Sequence, residues 1–157
     1  KIHILINNVG GGSAEEGENF DKITDKNFDI IYKKNISSTF GLTKLALSSM
    51  AKNNWGRIII ISSSVNQKFS GKPVYKMNKI AQVSLIKSLS TQRKYTKKNI
   101  TFNCVSPGPI FTETSKWLKL KKKNPKKLKK IIDKDFPLGI GKPEDVANVV
   151  KFLSEKD

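Results

Sequence analysis

The sequence predicts an α/β fold built on a doubly wound parallel sheet, with helices covering both faces to make three layers. Apolar, β-branched runs at residues 2–6, 57–62 and 100–105 read as strands, and each breaks into a loop rich in Gly, Ser, Asn or Pro. Long stretches of helical periodicity separate the three runs. A repeating β-loop-α order of this kind makes neighbouring strands parallel, joined by right-handed crossovers.

The first strand, residues 2–6, opens the chain and breaks at Asn7, Asn8 and Val9 into the turn Gly10, Gly11 and Gly12; the acidic residues Glu15, Glu16 and Glu18 follow in the loop. From Thr24 the residues Phe28, Ile31, Tyr32, Ile36, Phe40, Thr43 and Leu47 recur at three- or four-residue steps, predicting one long helix that ends near residues 53–56. The run at 57–62 has no polar alternation, which suits a strand buried on both faces. A serine-rich loop then passes Gly71 and Pro73 into a second long helix, residues 74–95, with Ile80, Val83, Ile86 and Leu89 on its apolar face. The third strand ends in Ser106, Pro107, Gly108 and Pro109.

In the Lys-rich segment 116–134, Trp117, Leu118, Leu128, Ile131 and Ile132 form one apolar face under a charged outer one, which reads as a mobile helical flap. The last helix starts at Pro143, whose missing N–H costs nothing in a first turn. Glu144 and Asp145 favour its positive end, and it runs to about residue 153.

A chain of 157 residues supports one domain with a real core. Its net charge of +17 comes almost wholly from Lys, with Arg57 and Arg93 the only arginines. Specific nucleic-acid readers use clustered Arg for bidentate contacts, so the charge reads as solvated surface and no specific nucleic-acid partner is expected. For the Lys run at 119–130, attraction of an acidic carrier protein or a phosphorylated substrate is the minority reading. One cysteine, Cys104, excludes an intrachain disulfide, and with His3 as the single histidine no metal cluster is expected. No apolar run reaches the length of a membrane span and no signal peptide is recognisable, so the chain reads as cytoplasmic.

The chemistry centres on Tyr75 and Lys79. At i and i+4 they share one helix face, placing an ammonium near a phenol. A tyrosine of pKa near 10 needs roughly 4 kcal/mol of preferential phenolate stabilisation to shuttle protons near pH 7. In so Lys-rich a chain the spacing alone is weak, and the surroundings carry the inference. Ser63 lies at the carboxyl end of the second strand, where open α/β sheets place their ligands. Asn35 sits inside the first long helix, a poor place for Asn without a tertiary partner. The loops at 7–12 and 107–108 complete one crevice with the Ser63 loop.

The ordered set NNVG at 7–10, Asn35, GRIIIISS at 56–63, YKMNK at 75–79, NCVSPGPIFTET at 103–114 and PLGIGKPEDVANVVKFL at 137–153 resembles the short-chain dehydrogenase/reductase family, in its 3-oxoacyl-carrier-protein-reductase-like branch. The resemblance implies a Rossmann-type fold and hydride transfer between NAD or NADP, with the balance toward NADP, and a carbonyl/alcohol pair. Reduction of a carrier-bound 3-oxoacyl group is the leading expectation, a sugar, polyol or steroid alcohol its rival, and a non-catalytic basic-surface binder the alternative from another class. It further implies that Tyr75 exchanges a proton with the substrate oxygen, that Lys79 assists Tyr75 and holds the nicotinamide ribose, and that Ser63 bonds the substrate oxygen. Asn35 would hold a water linking Lys79 to solvent. Asn8, Gly10, Pro107, Gly108, Ile110 and Thr112, with Tyr75 and Lys79, would border the cofactor.

Three departures from the family pattern bear on these expectations. NNVG stands where NNAG is commoner, and the run Ser62, Ser63, Ser64 leaves the catalytic serine ambiguous, with Ser63 preferred as the second of the pair closing the strand. The family's opening phosphate-binding turn and its last strand are missing from the sequence. Residues 1–157 are therefore expected to be the catalytic, C-terminal part of one domain, an internal fragment inactive by itself and a homo-oligomer, dimer or tetramer, when full length.

Overall fold

In a computed structural model, three strands, β1 (Ile4–Asn7), β2 (Gly56–Ile61) and β3 (Ile100–Val105), pair in parallel in the order β1-β2-β3. The structure describes residues 1–12, 19–67, 72–113, 115–136 and 138–156. The acidic residues Glu15, Glu16 and Glu18, together with Gly71, Thr114 and Pro137 of the motifs above, lie outside the described residues. The register sets Asn7 beside Ile60 and Ile61 beside Val105, so all three carboxyl ends finish at one edge.

The alternation of side chains along β2 builds the layers. Ile58 and Ile60 pack with Ile100 and Phe102 of β3 against Ala46, Leu47 and Met50 of α2 (Ser38–Asn53) and Ile86 of α3 (Pro73–Ser90). Arg57 and Ile59 face the other way, toward α7 (Pro143–Ser154). Sheet and helices thus form the predicted α/β/α arrangement. β1 starts two residues later than expected and is an edge of this sheet, with Ile4 and Ile6 exposed.

Arg57 departs from the solvated-surface reading of the basic residues. It is buried, and among the described residues no carboxylate pairs with it. Its guanidinium donates to the carbonyls of Glu155 (3.2 Å), Lys156 (3.2 Å) and Asn99 (3.0 Å) and stacks 4.4 Å from the Trp55 ring centroid. Carbonyls at the ends of two elements thereby satisfy a cation that would otherwise be costly to bury.

The first long helix is interrupted. After α1 (Asp25–Tyr32), capped by the Thr24 hydroxyl, residues Lys33–Ser37 form a π-turn before α2 continues. Its buried stripe is Asn27, Ile31, Asn35, Thr39 and Thr43, spaced strictly by four. On an ideal α-helix such a stripe drifts by about 40° per step, and one wider turn absorbs part of that drift and keeps the stripe facing α3. Phe28, Tyr32 and Phe40, assigned to the inner face by sequence, are exposed, because each stands one position past a residue of the buried stripe.

The second long helix also differs from expectation. α3 stops at Ser90, because the Ser90 and Thr91 hydroxyls turn back onto the carbonyls of Lys87 and Ser88, and a separate short helix, α4 (Arg93–Thr96), follows. Its buried face is Val74, Asn78, Lys79, Gln82 and Ile86, whereas Ile80 is 45% exposed. The Lys-rich segment is two helices, α5 (Lys116–Lys123) and α6 (Pro125–Asp135), because Pro125 cannot continue a helix and Asn124 caps the next. Trp117 meets Phe136 edge-on at 5.4 Å, which closes this pair. Among the described residues no helix is long and apolar enough to cross a membrane.

Candidate active site

The carboxyl ends of the strands, the π-turn and the first half of α3 meet around Lys79. This lysine, 4% exposed, donates from Nζ to the Ile61 carbonyl at the end of β2 (2.9 Å) and to Gln82 Oε1 (3.1 Å). Its Nζ lies 5.8 Å from the Tyr75 ring centroid, one helical turn back, so the predicted pair does share a face. Burial lowers the Lys79 pKa to about 8, the Cys104 thiol opposing that shift by favouring the charged form. The same burial pushes the Cys104 thiol up, against hydrogen bonds with Ser106 and Ser62.

Asn35 is fully buried in the π-turn, and its side chain is completely engaged. Nδ2 donates to the carbonyls of Gly11 (2.9 Å) and Ile31 (2.8 Å), while Oδ1 accepts from the Gly11 N–H (3.1 Å). This pins the loop after β1 to the helix. The Asn35 backbone carbonyl accepts from Gln82 Nε2 (2.9 Å) and from the Thr39 hydroxyl (2.7 Å). Gly10 fits between the two polar side chains: a Cβ there would stand 2.7 Å from Asn35 Oδ1 and 3.1 Å from Lys79 Nζ. Asn35, Lys79, Tyr75 and Gly10 therefore come together as one cluster.

The serine loop is anchored next to it. Ser62 is buried and its hydroxyl donates to the Lys79 carbonyl (2.9 Å), so its proton is committed to holding α3. Ser63 is half-buried and, among the described residues, accepts a long contact from the Val65 N–H (3.4 Å). The Ser64 N–H donates to the Pro107 carbonyl (2.9 Å), joining this loop to the one after β3. There Ile110 bridges Gly141, and a groove of about 230 Å³ runs along Pro107, Gly108, Ile110 and Val146. Asn8, Gly108 and Thr112 lie exposed in the flanking loops.

A family described as enoyl-(acyl carrier protein) reductase matches residues 1–157, the whole chain. The chain belongs to the short-chain dehydrogenase/reductase family. Among the similar relatives, 3-oxoacyl-(acyl-carrier-protein) reductase FabG of Aquifex aeolicus is 35% identical over 97% of this chain and 58% of its own length. The 7alpha-hydroxysteroid dehydrogenase of Bacteroides fragilis is 30% identical over 100% of this chain and 59% of its own length. The solved structure of ElxO with NADP bound superposes with a TM-score of 0.87 at 27% identity, covering 100% of this chain and 61% of that one. The chain thus spans about 60% of the length of these relatives.

Within this short-chain dehydrogenase/reductase, residue-by-residue reading missed Gln82 and Thr39, both buried polar groups bonded into the cluster. A signal was present: residues 75, 79, 82 and 86 fall on one helical stripe, and Gln82 interrupts it with an amide. Seeking apolar periodicity hid that stripe.

The lowered Lys79 pKa makes a stability prediction. Between pH 8 and its ordinary value of 10.5, the unfolded chain keeps a proton that the folded protein has lost, so this lysine makes stability rise with pH through that window. The unfolding free energy of the wild type relative to Lys79→Met should rise by about 3 kcal/mol across it. Urea unfolding of both proteins at several pH values measures this, and a difference that stays flat would place an ordinary lysine at residue 79.

Proposed function

We propose that these residues are the catalytic, C-terminal part of a single Rossmann-fold domain in a nicotinamide-dependent oxidoreductase that interconverts a carbonyl and an alcohol. The observation that carries this reading is the convergence of Tyr75, Lys79, Asn35 and Gly10 at the carboxyl edge of a parallel sheet, the place where such sheets bind ligands. The residues present fit the cofactor. A glycine without room for a side chain abuts a buried ammonium, and the loops at 7–10 and 107–112 flank it with small or exposed residues. Asn8, Gly10, Pro107, Gly108, Ile110 and Thr112 would border it, with Lys79 on its ribose. When bound, the nicotinamide supplies the hydride.

The protein's own task is then proton management and positioning. Tyr75 gives its phenolic proton to the substrate oxygen during reduction, and the nearby Lys79 ammonium stabilises the charge left on the phenol. Ser63, whose hydroxyl is less committed than that of Ser62, holds the substrate oxygen in line. Asn35 shapes the cluster by fixing the β1 loop and presenting its carbonyl toward Gln82.

NADP is favoured as cofactor because ElxO and the NADPH-dependent reductase YwfH, at 27% identity each, are described with it. A 3-oxoacyl thioester is favoured as substrate because the relatives include both the Aquifex reductase and the acetoacetyl-CoA reductase of Cupriavidus necator. The Bacteroides relative keeps a steroid alcohol as the second reading. Exposed Phe40, Leu42 and Leu45 on α2 support a homo-oligomer. The test is turnover by the full protein with NADPH or NADH against acetoacetyl-CoA and a 7-hydroxysteroid. Acetoacetyl-CoA with NADPH should react fastest; absence of any nicotinamide-linked turnover, with salt-sensitive binding to arbitrary DNA, would favour the basic-surface binder instead.

A further inference from the structure

Gln82 sits fully buried in the middle of α3, where an apolar side chain of equal volume would pack without any polar group to satisfy. Its amide instead makes three hydrogen bonds. Oε1 accepts from Lys79 Nζ (3.1 Å), and Nε2 donates to the Asn35 carbonyl (2.9 Å) and to Thr39 Oγ1 (3.2 Å). The orientation is forced, since exchanging oxygen and nitrogen would aim an N–H at an ammonium. Thr39 also donates to the Asn35 carbonyl, so both lone pairs of that oxygen face protein donors.

We propose that Gln82 is a positioning residue for Lys79, its amide tying the lysine ammonium to the Asn35 carbonyl of the π-turn and so holding it beside Tyr75. This rests on the proton-transfer reading of Tyr75 and Lys79 given above. The π-turn is part of the device, because it brings the Asn35 carbonyl to α3, and a regular helix would turn that oxygen along its own axis. The resemblance implies that Asn35 holds a water linking Lys79 to solvent; here it is the Gln82 amide that bonds both Lys79 and the Asn35 carbonyl. An amide does not carry protons at neutral pH, so its contribution is to geometry and to the charge state of Lys79. The ionisable groups facing Lys79 among the described residues are Tyr75 on its own helix and Cys104 of β3.

Two variants of the full protein test this, Gln82→Met and Gln82→Glu, each read in two ways. The first readout is the side-chain NMR titration of Lys79 in cofactor-free protein, where a lysine titrating near 8 stands apart from the surface lysines. The second is the pH profile of turnover. Met removes an acceptor from the ammonium, and Lys79 and the alkaline limb of kcat should both move down by about half a pH unit or more, with kcat falling roughly tenfold and the substrate KM little changed. Glu places a carboxylate there, and both should move up by about one unit. Unmoved titration in folded variants overturns the proposal. Failure of both variants to fold also overturns it, by assigning Gln82 to the architecture alone. If the wild type shows no nicotinamide-linked turnover, the functional reading fails, while the NMR titration still decides the tie between Gln82 and Lys79.

Discussion

Replacing Tyr75 by Phe in the full protein is expected to lower turnover by about three orders of magnitude or more, while nicotinamide binding changes little. The ring stays, so its packing on α3 and its contact with the Lys79 ammonium 5.8 Å from the centroid survive, and only the phenolic proton is lost. General acid–base groups contribute roughly 10²- to 10⁴-fold, and a phenol that is the sole proton donor to the substrate oxygen should sit near the top of that range. Steady-state kinetics paired with a fluorescence titration of NADPH separates the two effects, because a lost proton donor lowers kcat and leaves the binding constant alone. Ordinary turnover in this variant would remove Tyr75 from the chemistry.

Gly10→Ala is expected to cost turnover roughly 10- to 100-fold and to lower thermal stability by a few degrees. The new methyl would stand 2.7 Å from Asn35 Oδ1 and 3.1 Å from Lys79 Nζ, and neither atom is free to yield. Asn35 is held by Gly11 and Ile31, and Lys79 by Ile61 and Gln82, so either the β1 loop or the ammonium must move. Gly41→Ala provides the contrast. It lies in α2 with nothing within 4 Å of the added carbon, and the exchange should stabilise the helix by about 0.5–1 kcal/mol. Melting curves and kinetics of the two variants check both statements; a Gly10→Ala enzyme with unchanged kcat would show that the cluster tolerates displacement.

The strands were the most legible part of the chain. The predicted third strand coincides with β3 and the second is offset from β2 by one residue, because continuous β-branched runs between polar breaks leave little freedom of assignment. The cluster was legible as a set of loci, since Tyr75, Lys79, Asn35 and Gly10 each mark the carboxyl edge. Helix interiors were less so. Ile80 reads as core by sequence and is exposed, while Gln82, a polar residue of the same helix, is buried, because hydrogen-bond partners on the π-turn and α2 outweigh the intrinsic preference of an amide for water. The division of α5 from α6 was written in Asn124-Pro125, a capping residue before an N1 proline, and a single apolar face obscured it.

By itself, then, the sequence determined the order of elements, the parallel α/β class and which residues stand at the ends of strands, all properties that depend on neighbours along the chain. Only the tertiary structure decided that the first long helix opens into a π-turn at Asn35, that Ser62 spends its hydroxyl on α3, that Arg57 is buried among carbonyls, and that Gln82 joins Lys79 to Asn35. The physical reason is common to all four. Each is a buried polar group whose desolvation is tolerable only with a partner, and three of those partners lie between 17 and 99 residues away, at separations that local patterning does not encode.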